Sequence, residues 1–79
     1  MSWNYRVIEH NNREESYCQI HEVYYGENGN IIGCSENGSV VGSDNRLELD
    51  KVLDMMKEAL RKPMLSFSEF NKNSIVYKK

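Results

Sequence analysis

Hydrophobic and polar residues alternate with a period of two in three stretches of the first half of the chain. Residues 3–8 and 17–25 are rich in aromatic and β-branched side chains, and residues 31–35 form a shorter run of the same kind. Side chains of a strand point alternately to its two faces, so this alternation is typical of half-buried strands. The pattern predicts three strands, with the polar residues 10–15 as the loop between the first two.

Two Asn-Gly pairs follow the second and third strands. Asn28-Gly29 and Asn37-Gly38 suit the type I′ turn, which needs a positive φ at both central positions. The first pair predicts a two-residue hairpin turn that places Val23 opposite Cys34 and Tyr25 opposite Ile32. The second pair predicts a return of the chain into a short fourth strand at Val40-Val41.

The period changes to about 3.6 after Gly42. Five apolar residues then recur at spacings of three and four, which puts them on one face of an amphipathic helix: Leu49, Val52, Leu53, Met56 and Leu60. Ser43 or Asp44 is expected to cap the start of this helix, and Pro63 stops it, because the residue before a proline is pushed away from helical geometry.

The predicted fold is α+β: a three- to four-stranded antiparallel β-meander followed by one C-terminal amphipathic helix packed on the sheet. Residues 1–65 form a single domain, and residues 66–79 form a tail in which a short edge strand at 74–77 stays open. The expected core is Tyr5 or Val7, together with Ile20, Tyr24, Ile31, Leu49, Val52, Leu53, Met56 and Leu60.

Both faces of the predicted sheet are apolar. The register places Tyr17, His21, Val23, Tyr25, Ile32, Cys34 and Val41 on one face and Cys18, Ile20, Tyr24 and Ile31 on the other. One helix covers one face of a sheet, so the second face needs a cover from the tail or from a second copy of the protein. This predicts a homodimer.

Composition narrows the class of protein. The chain has 79 residues, 39% of them hydrophobic, and 10 basic against 12 acidic residues give a net charge of −2. This balance argues against nucleic-acid binding through a basic surface. No apolar run approaches the length of a membrane span, and a chain without a signal-like start and with two cysteines is predicted to be cytoplasmic.

Candidate chemistry is sparse. His10, Cys18, His21 and Cys34 lack the spacing of a zinc site, and no metal or cofactor is expected. Cys34 and His21 share a predicted face, but the nearest charges belong to glutamates, which disfavour a thiolate. No pair of carboxylates stands out for acid and base catalysis. The chain is therefore predicted not to be an enzyme.

Three segments resemble one family. They are the opening Trp-Asn-Tyr-Arg-Val-Ile of residues 3–8, the Glu-Val-Tyr-Tyr of residues 22–25 with its Asn-Gly turn, and the helix end at residues 59–65, Ala-Leu-Arg-Lys-Pro-Met-Leu. In order and spacing, residues 3–65 are similar to a family of small uncharacterised bacterial and phage-borne proteins. The resemblance implies the fold; it implies no activity, cofactor or site residue.

Two functions are expected from these features. Residues 1–43 carry two arginines against six glutamates, a net charge of −4. This acidic half suits a non-enzymatic protein-interaction module that contacts another protein through Tyr17, Glu22, Tyr25 and Glu27, such as a phage or mobile-element inhibitor of a host defence complex. The alternative is an anionic small-molecule site at a dimer seam, with Trp3, Tyr5, Arg6 and Tyr24.

Overall fold

The computed structural model describes residues 2–12, 14–70 and 75–76, the last two by their backbone. Seven elements follow one another: strands β1 (Ser2–Asn11), β2 (Ser16–Tyr25) and β3 (Ile31–Ser35), helix α1 (Arg46–Ala59), strand β4 (Leu65–Ser66), a 3₁₀ helix (Phe67–Glu69) and strand β5 (Ile75–Val76). The α+β class is as predicted.

The sheet is mixed. Its strand order is β4-β1-β2-β3-β5; β1–β2 and β2–β3 are antiparallel, whereas β4 pairs parallel with β1 and β5 pairs parallel with β3. The prediction of an all-antiparallel meander with a C-terminal helix was therefore wrong. Helix α1 instead lies in the connection from β3 to β4. These two strands are separated by β1 and β2 in the sheet, so no tight turn can join them. Of the predicted edge segment 74–77, residues 74 and 77 lie outside the described residues.

The first two strands are longer than their apolar runs. Strand β1 continues to Asn11 and pairs with β2 over its whole length, from Ser2 opposite Tyr25 to Asn11 opposite Ser16. The predicted loop shrinks to a turn in which the Asn12 side chain accepts hydrogen bonds from the backbone N–H groups of Glu14 and Glu15, at 3.1 and 2.9 Å. His10 consequently belongs to a strand.

The hairpin between β2 and β3 confirms one predicted pair and corrects another. Val23 lies opposite Cys34, but a bulge after Tyr24 places Tyr25 opposite Ile31 rather than Ile32. The connection spans residues 26–30, closed by a 2.8 Å bond from the Gly26 N–H to the Asn30 carbonyl, and Gly29 takes φ +82°. A longer loop than the predicted two-residue turn shifts the register beyond the bulge.

No strand forms at Val40-Val41, where both side chains are exposed, by 86% and 57%. A single bond, from the Ser39 N–H to the Ile20 carbonyl at 2.7 Å, ties this segment to β2. A Cβ on Gly38 would lie 2.8 Å from the flexible end of the exposed Gln19 side chain, which can move aside, so close packing does not require a glycine here.

Helix α1 starts earlier than its apolar stripe. Asn45 is the N-cap, since its side chain accepts from the Glu48 N–H at 2.9 Å, and the expected caps Ser43 and Asp44 lie before it. The helix packs on β1, and its buried residues are Met56 and Ala59. No helix among the described residues is long and apolar enough to span a bilayer.

The core differs from the expected one. Its central cluster is Ile8, Val23 and Cys34, with Leu65, Phe67 and Phe70 packed against it. Three residues of the expected core are instead exposed: Ile31, Leu53 and Leu60. Because residues 65–70 cover the face that carries His21, Val23 and Cys34, the second of the two predicted covers, another copy of the protein, is not needed there.

Candidate functional site

Two histidines meet on the covered face of the sheet. His21 in β2 lies opposite Arg6 in β1. Every second residue of a strand points to the same face, so Ile8 and His10 lie on the face of Arg6 and His21. The Nε2 atoms of His10 and His21 are 2.8 Å apart. His21 is fully buried, and His10 is half-buried. The two imidazoles therefore form a hydrogen-bonded pair that links β1 to β2.

The hydrogen-bond acceptors around the pair show which ring nitrogens of His10 and His21 carry a proton. His21 Nδ1 lies 3.0 Å from the Ser35 carbonyl oxygen and 3.2 Å from Ser35 Oγ. A carbonyl only accepts, and Ser35 Oγ already donates to the Asn37 carbonyl at 2.9 Å. His21 Nδ1 therefore carries a hydrogen and donates it, which leaves His21 Nε2 as the acceptor of the proton on His10 Nε2.

Aromatic rings enclose His10. Tyr17 stacks on one side, with ring centroids 4.8 Å apart and planes 4° from parallel, and Phe67 stacks at 4.4 Å. Phe67 also reaches His21, at 6.0 Å. Desolvation by these neighbours lowers the pKa of both histidines below 6.5, and the nearby His10 lowers that of His21 further, against a raising contribution from the Ser35 backbone bond.

The pair accommodates one added proton. A proton on His10 Nδ1 leaves the bond to His21 intact and strengthens it, because the donor is then charged. A second proton on His21 Nε2 would face the N–H of His10 and break the bond. Arg6, opposite His21, adds a further positive charge to this face. The pair is therefore neutral at physiological pH and resists double protonation.

Neither cysteine is placed to join the histidine pair in a metal site. Cys18 is exposed, with Sγ 3.5 Å from the sulfur of Met64, and Cys34 is buried. Burial raises the pKa of Cys34 to about 11, which keeps it a thiol. Within residues 2–12, 14–70 and 75–76, no group of three or more His, Cys, Asp or Glu residues is arranged to hold a metal ion.

The residues predicted for protein contact are distributed over different surfaces. Tyr17 is exposed beside His10, Glu27 is exposed in the β2–β3 connection, and Glu22 lies on the opposite face of β2. Tyr25 is half-buried: its hydroxyl donates to Asn4 Oδ1 at 2.8 Å and accepts from Arg6 Nη1 at 3.1 Å. The structure therefore does not bring these four side chains into one patch.

The residues predicted for an anionic ligand separate by face. Trp3, Tyr5 and Tyr24 lie together on one face, where Trp3 and Tyr5 pack edge to face with centroids 5.2 Å apart. Arg6 lies on the other, where Nη2 donates to the Pro63 carbonyl at 2.6 Å. The arginine thus links β1 to the chain after helix α1, away from the three aromatic rings.

Sequence reasoning missed His10 and Phe67 as members of the site. The sequence pattern predicts a loop at His10, although His10 continues the alternation of Arg6 and Ile8 along β1. It predicts a tail at Phe67, although Leu65 and Phe67 are spaced as residues of one strand face. Each of these patterns covers only two or three residues, and neither shows which side chain His10 or Phe67 will contact.

Three comparisons, with protein-family models, with curated proteins and with solved structures, found no match to this chain. The family resemblance of residues 3–65 therefore stays a prediction, and the function is inferred from the geometry of the molecule.

Proposed function

We propose that this protein is a non-enzymatic protein-interaction module that pairs with a second copy of itself through helix α1. The observation that carries the proposal is the exposure of Leu53 in helix α1 and of Leu60 at its C-cap, by 47% and 70%, whereas Met56 and Ala59 of the same helix are buried. An apolar surface of this kind on a small soluble domain marks an interaction site.

The environments of the Cys34 thiol and of the histidine pair support a non-catalytic role. The Cys34 thiol is buried and its pKa is raised to about 11, so it is a poor nucleophile at neutral pH. Both Nε2 atoms of the histidine pair are engaged with one another, and His21 Nδ1 is engaged with Ser35. Hydrogen bonds within the protein therefore engage three of the four imidazole nitrogens of the pair, all but His10 Nδ1.

The exposed leucines form one stripe. At about 100° per residue, Leu49, Leu53 and Leu60 fall within about 40° of one another around the helix axis. Leu49 is half-buried. We call these three residues the leucine stripe. Its width is that of a helix–helix contact rather than of a flat sheet surface.

The charges beside the leucine stripe favour an antiparallel second copy. Four residues form a neighbouring row, within about 60° of one another: Asp50, Asp54, Lys57 and Arg61. The row is acidic in its first half and basic in its second. A two-fold axis perpendicular to the helices brings this row against itself in reverse order, so that each acidic half meets a basic half.

The existing ion pairs do not oppose this arrangement. Arg61 reaches Glu58 at 2.8 Å, and both side chains are more than half exposed. Such a surface pair contributes about 0.5 kcal/mol, so exchange for a partner across an interface costs little. Burial of two leucines from each copy supports a weak dimer, with a Kd of about 1 µM or higher once the entropy of association is included.

Sedimentation velocity over a concentration series tests the proposal. We expect wild-type protein to shift from monomer to dimer, and the variant Leu53→Gln/Leu60→Gln to dimerise at least ~10-fold more weakly. Val41→Gln is the matched control, because Val41 is 57% exposed but lies outside helix α1. A monomer at every concentration, or equal weakening by Val41→Gln, contradicts the proposal.

Charge exchange tests the orientation. Asp54→Lys and Lys57→Asp each place like charges across the antiparallel interface and should weaken the dimer, whereas the double variant restores opposite charges and should recover it. A double variant as weak as the sum of the two single variants would exclude the antiparallel arrangement.

The narrower prediction, an inhibitor of a host defence complex carried by a phage or mobile element, is tested by the neighbouring genes. A position beside phage structural or defence genes supports this role. A stable position among genes of one metabolic route contradicts it.

A further inference from the structure

A cavity of about 340 Å³ lies on the face of the sheet opposite the histidine pair. Tyr5 of β1 and Ser35 of β3 line it from the sheet, and residues 37–40 line it from the connection that follows β3. Its wall also contains Glu22, whose carboxylate accepts a 3.0 Å hydrogen bond from the Tyr24 hydroxyl. The volume is at the lower end of the range of small-molecule sites, so the cavity suits a compact ligand.

The backbone of residues 37–40 forms an irregular wall with few internal hydrogen bonds. Within the described chain it makes two: the Ser39 N–H donates to the Ile20 carbonyl at 2.7 Å, and the Asn37 carbonyl accepts from Ser35 Oγ at 2.9 Å. Backbone N–H and C=O groups that lack a partner in the protein bind water or a ligand. This wall therefore offers both donors and acceptors to a molecule in the cavity.

The side chains of the wall add groups of the same mixed kind. Tyr5 and Ser39 are half-buried, and their hydroxyls make no hydrogen bond to another of the described residues. A hydroxyl both donates and accepts. A ligand that carries several hydroxyls of its own matches such a wall, because each of them can also turn to donate or to accept.

The Tyr5 ring supplies an apolar surface beside these polar groups. Trp3 packs against it edge to face, with centroids 5.2 Å apart and planes at 88°. The face of an aromatic ring carries partial negative charge and attracts polarised C–H groups. A sugar ring combines a C–H surface with a rim of hydroxyls. We propose that the cavity binds a single sugar ring, with its C–H surface on Tyr5 and its hydroxyls on residues 37–40.

The Asn37 amide distinguishes a sugar from a nucleobase, the other compact ligand that packs on an aromatic ring. Recognition of a base edge by Asn uses the amide nitrogen and oxygen together. The Asn37 amide nitrogen instead donates to Glu36 Oε1 at 3.3 Å. The amide then offers a ligand its oxygen alone, which suits a hydroxyl and not a base edge.

The site is independent of the helix dimer, because the cavity is lined by strands β1 to β3 and the connection after β3, and not by the described residues of helix α1. Loss of the dimer would therefore leave sugar binding intact, and the reverse also holds. The site also differs from the expected anionic one, whose Arg6 lies on the other face of the sheet.

Amide NMR titration tests the site with four probes: D-glucose, D-galactose, N-acetyl-D-glucosamine and, as the nucleobase probe, adenosine. We expect saturable shifts with at least one of the three sugars, centred on Tyr5, Ser35 and residues 37–40. If no sugar gives saturable shifts there, the proposal is overturned, whether or not adenosine binds.

Variants test the role of the Tyr5 ring. Tyr5→Ala removes the apolar surface and should weaken sugar binding at least ~10-fold, whereas Tyr17→Ala, at an exposed tyrosine on the opposite face, should leave it unchanged. Equal binding by wild type and Tyr5→Ala overturns the proposal. If Tyr5→Ala does not fold, Ser39→Phe takes its place; it fills the cavity from the connection after β3 and should abolish binding, and retained binding again overturns the proposal.

Discussion

Residues 21 and 22 are neighbours in β2, yet they face two different environments. His21 is fully buried, and both of its ring nitrogens are hydrogen-bonded within the protein. Glu22 is half-buried and lines an open cavity. The covered face holds the hydrogen-bonded histidine pair, whereas the opposite face is open to a cavity of about 340 Å³. The histidines are therefore expected to matter for stability.

Replacement of His21 should have the largest effect. His21→Ala removes a buried ring and leaves the Ser35 carbonyl and the His10 N–H without their partner, which we expect to cost about 3 kcal/mol in the free energy of unfolding. Urea denaturation followed by circular dichroism measures this loss. A cost below about 1 kcal/mol would mean that the buried pair contributes little and would remove the contrast between the two faces.

Removal of the Phe67 ring should come next. Phe67 is half-buried on His10, so Phe67→Ala is expected to cost about 2 kcal/mol. Because desolvation is what lowers the pKa of His10, loss of the ring should also raise that pKa toward 6.5. NMR titration of the imidazole protons reports the pKa separately from stability; an unchanged value would show that Phe67 does not desolvate the pair.

Acidification should destabilise the protein. Both histidines have a pKa below 6.5 in the folded state, so the unfolded chain binds more protons below this value. Their contribution to stability is complete above about pH 6.5 and is lost as the pH falls from there toward the lowered folded values. The denaturation midpoint should fall between pH 7.5 and pH 5.5, and it should fall further for wild type than for His10→Gln. The variant lacks one titrating group, and it also lacks the effect of the His10 charge on the pKa of His21. An equal fall of the midpoint in both proteins would mean that other titratable groups cause the loss of stability in acid.

Glu22→Gln should change stability least, by less than about 1 kcal/mol, because the amide oxygen of Gln still accepts from the Tyr24 hydroxyl. Thermal unfolding measures this effect. A loss as large as that of His21→Ala would mean that Glu22 stabilises the fold as much as the buried histidine does, and the contrast between the two faces would disappear.

Local patterns predicted the elements that depend on local sequence. Alternation located β1, β2 and β3, and the 3.6-residue spacing located helix α1, although the ends differ by a few residues. The Asn-Gly pair correctly placed Val23 opposite Cys34, but the pair Tyr25–Ile31 depends on a bulge that the sequence does not mark. Turn chemistry therefore identified the hairpin and not its full register.

The contacts that create the two faces are distant in sequence. Arg6 bonds to the carbonyl of Pro63, 57 residues away, and Phe67 stacks on His10. Strand β4 has two residues and pairs parallel with β1, too short a run to carry a periodic signal. Such contacts follow from the path of the whole chain, and no window of neighbouring residues contains them.

The sequence by itself determined the α+β class, three strands and the helix, because backbone preference and hydrophobic period act over a few neighbouring residues. The tertiary structure decided which side of each element is buried: Ile8, Val23 and Cys34 under residues 65–70, and Leu53 and Leu60 left exposed. It also joined His10 to His21 and set Glu22 beside Tyr5. Periodicity shows that a helix or strand has an apolar side. How much of that side is buried depends on the packing of segments that are distant in sequence.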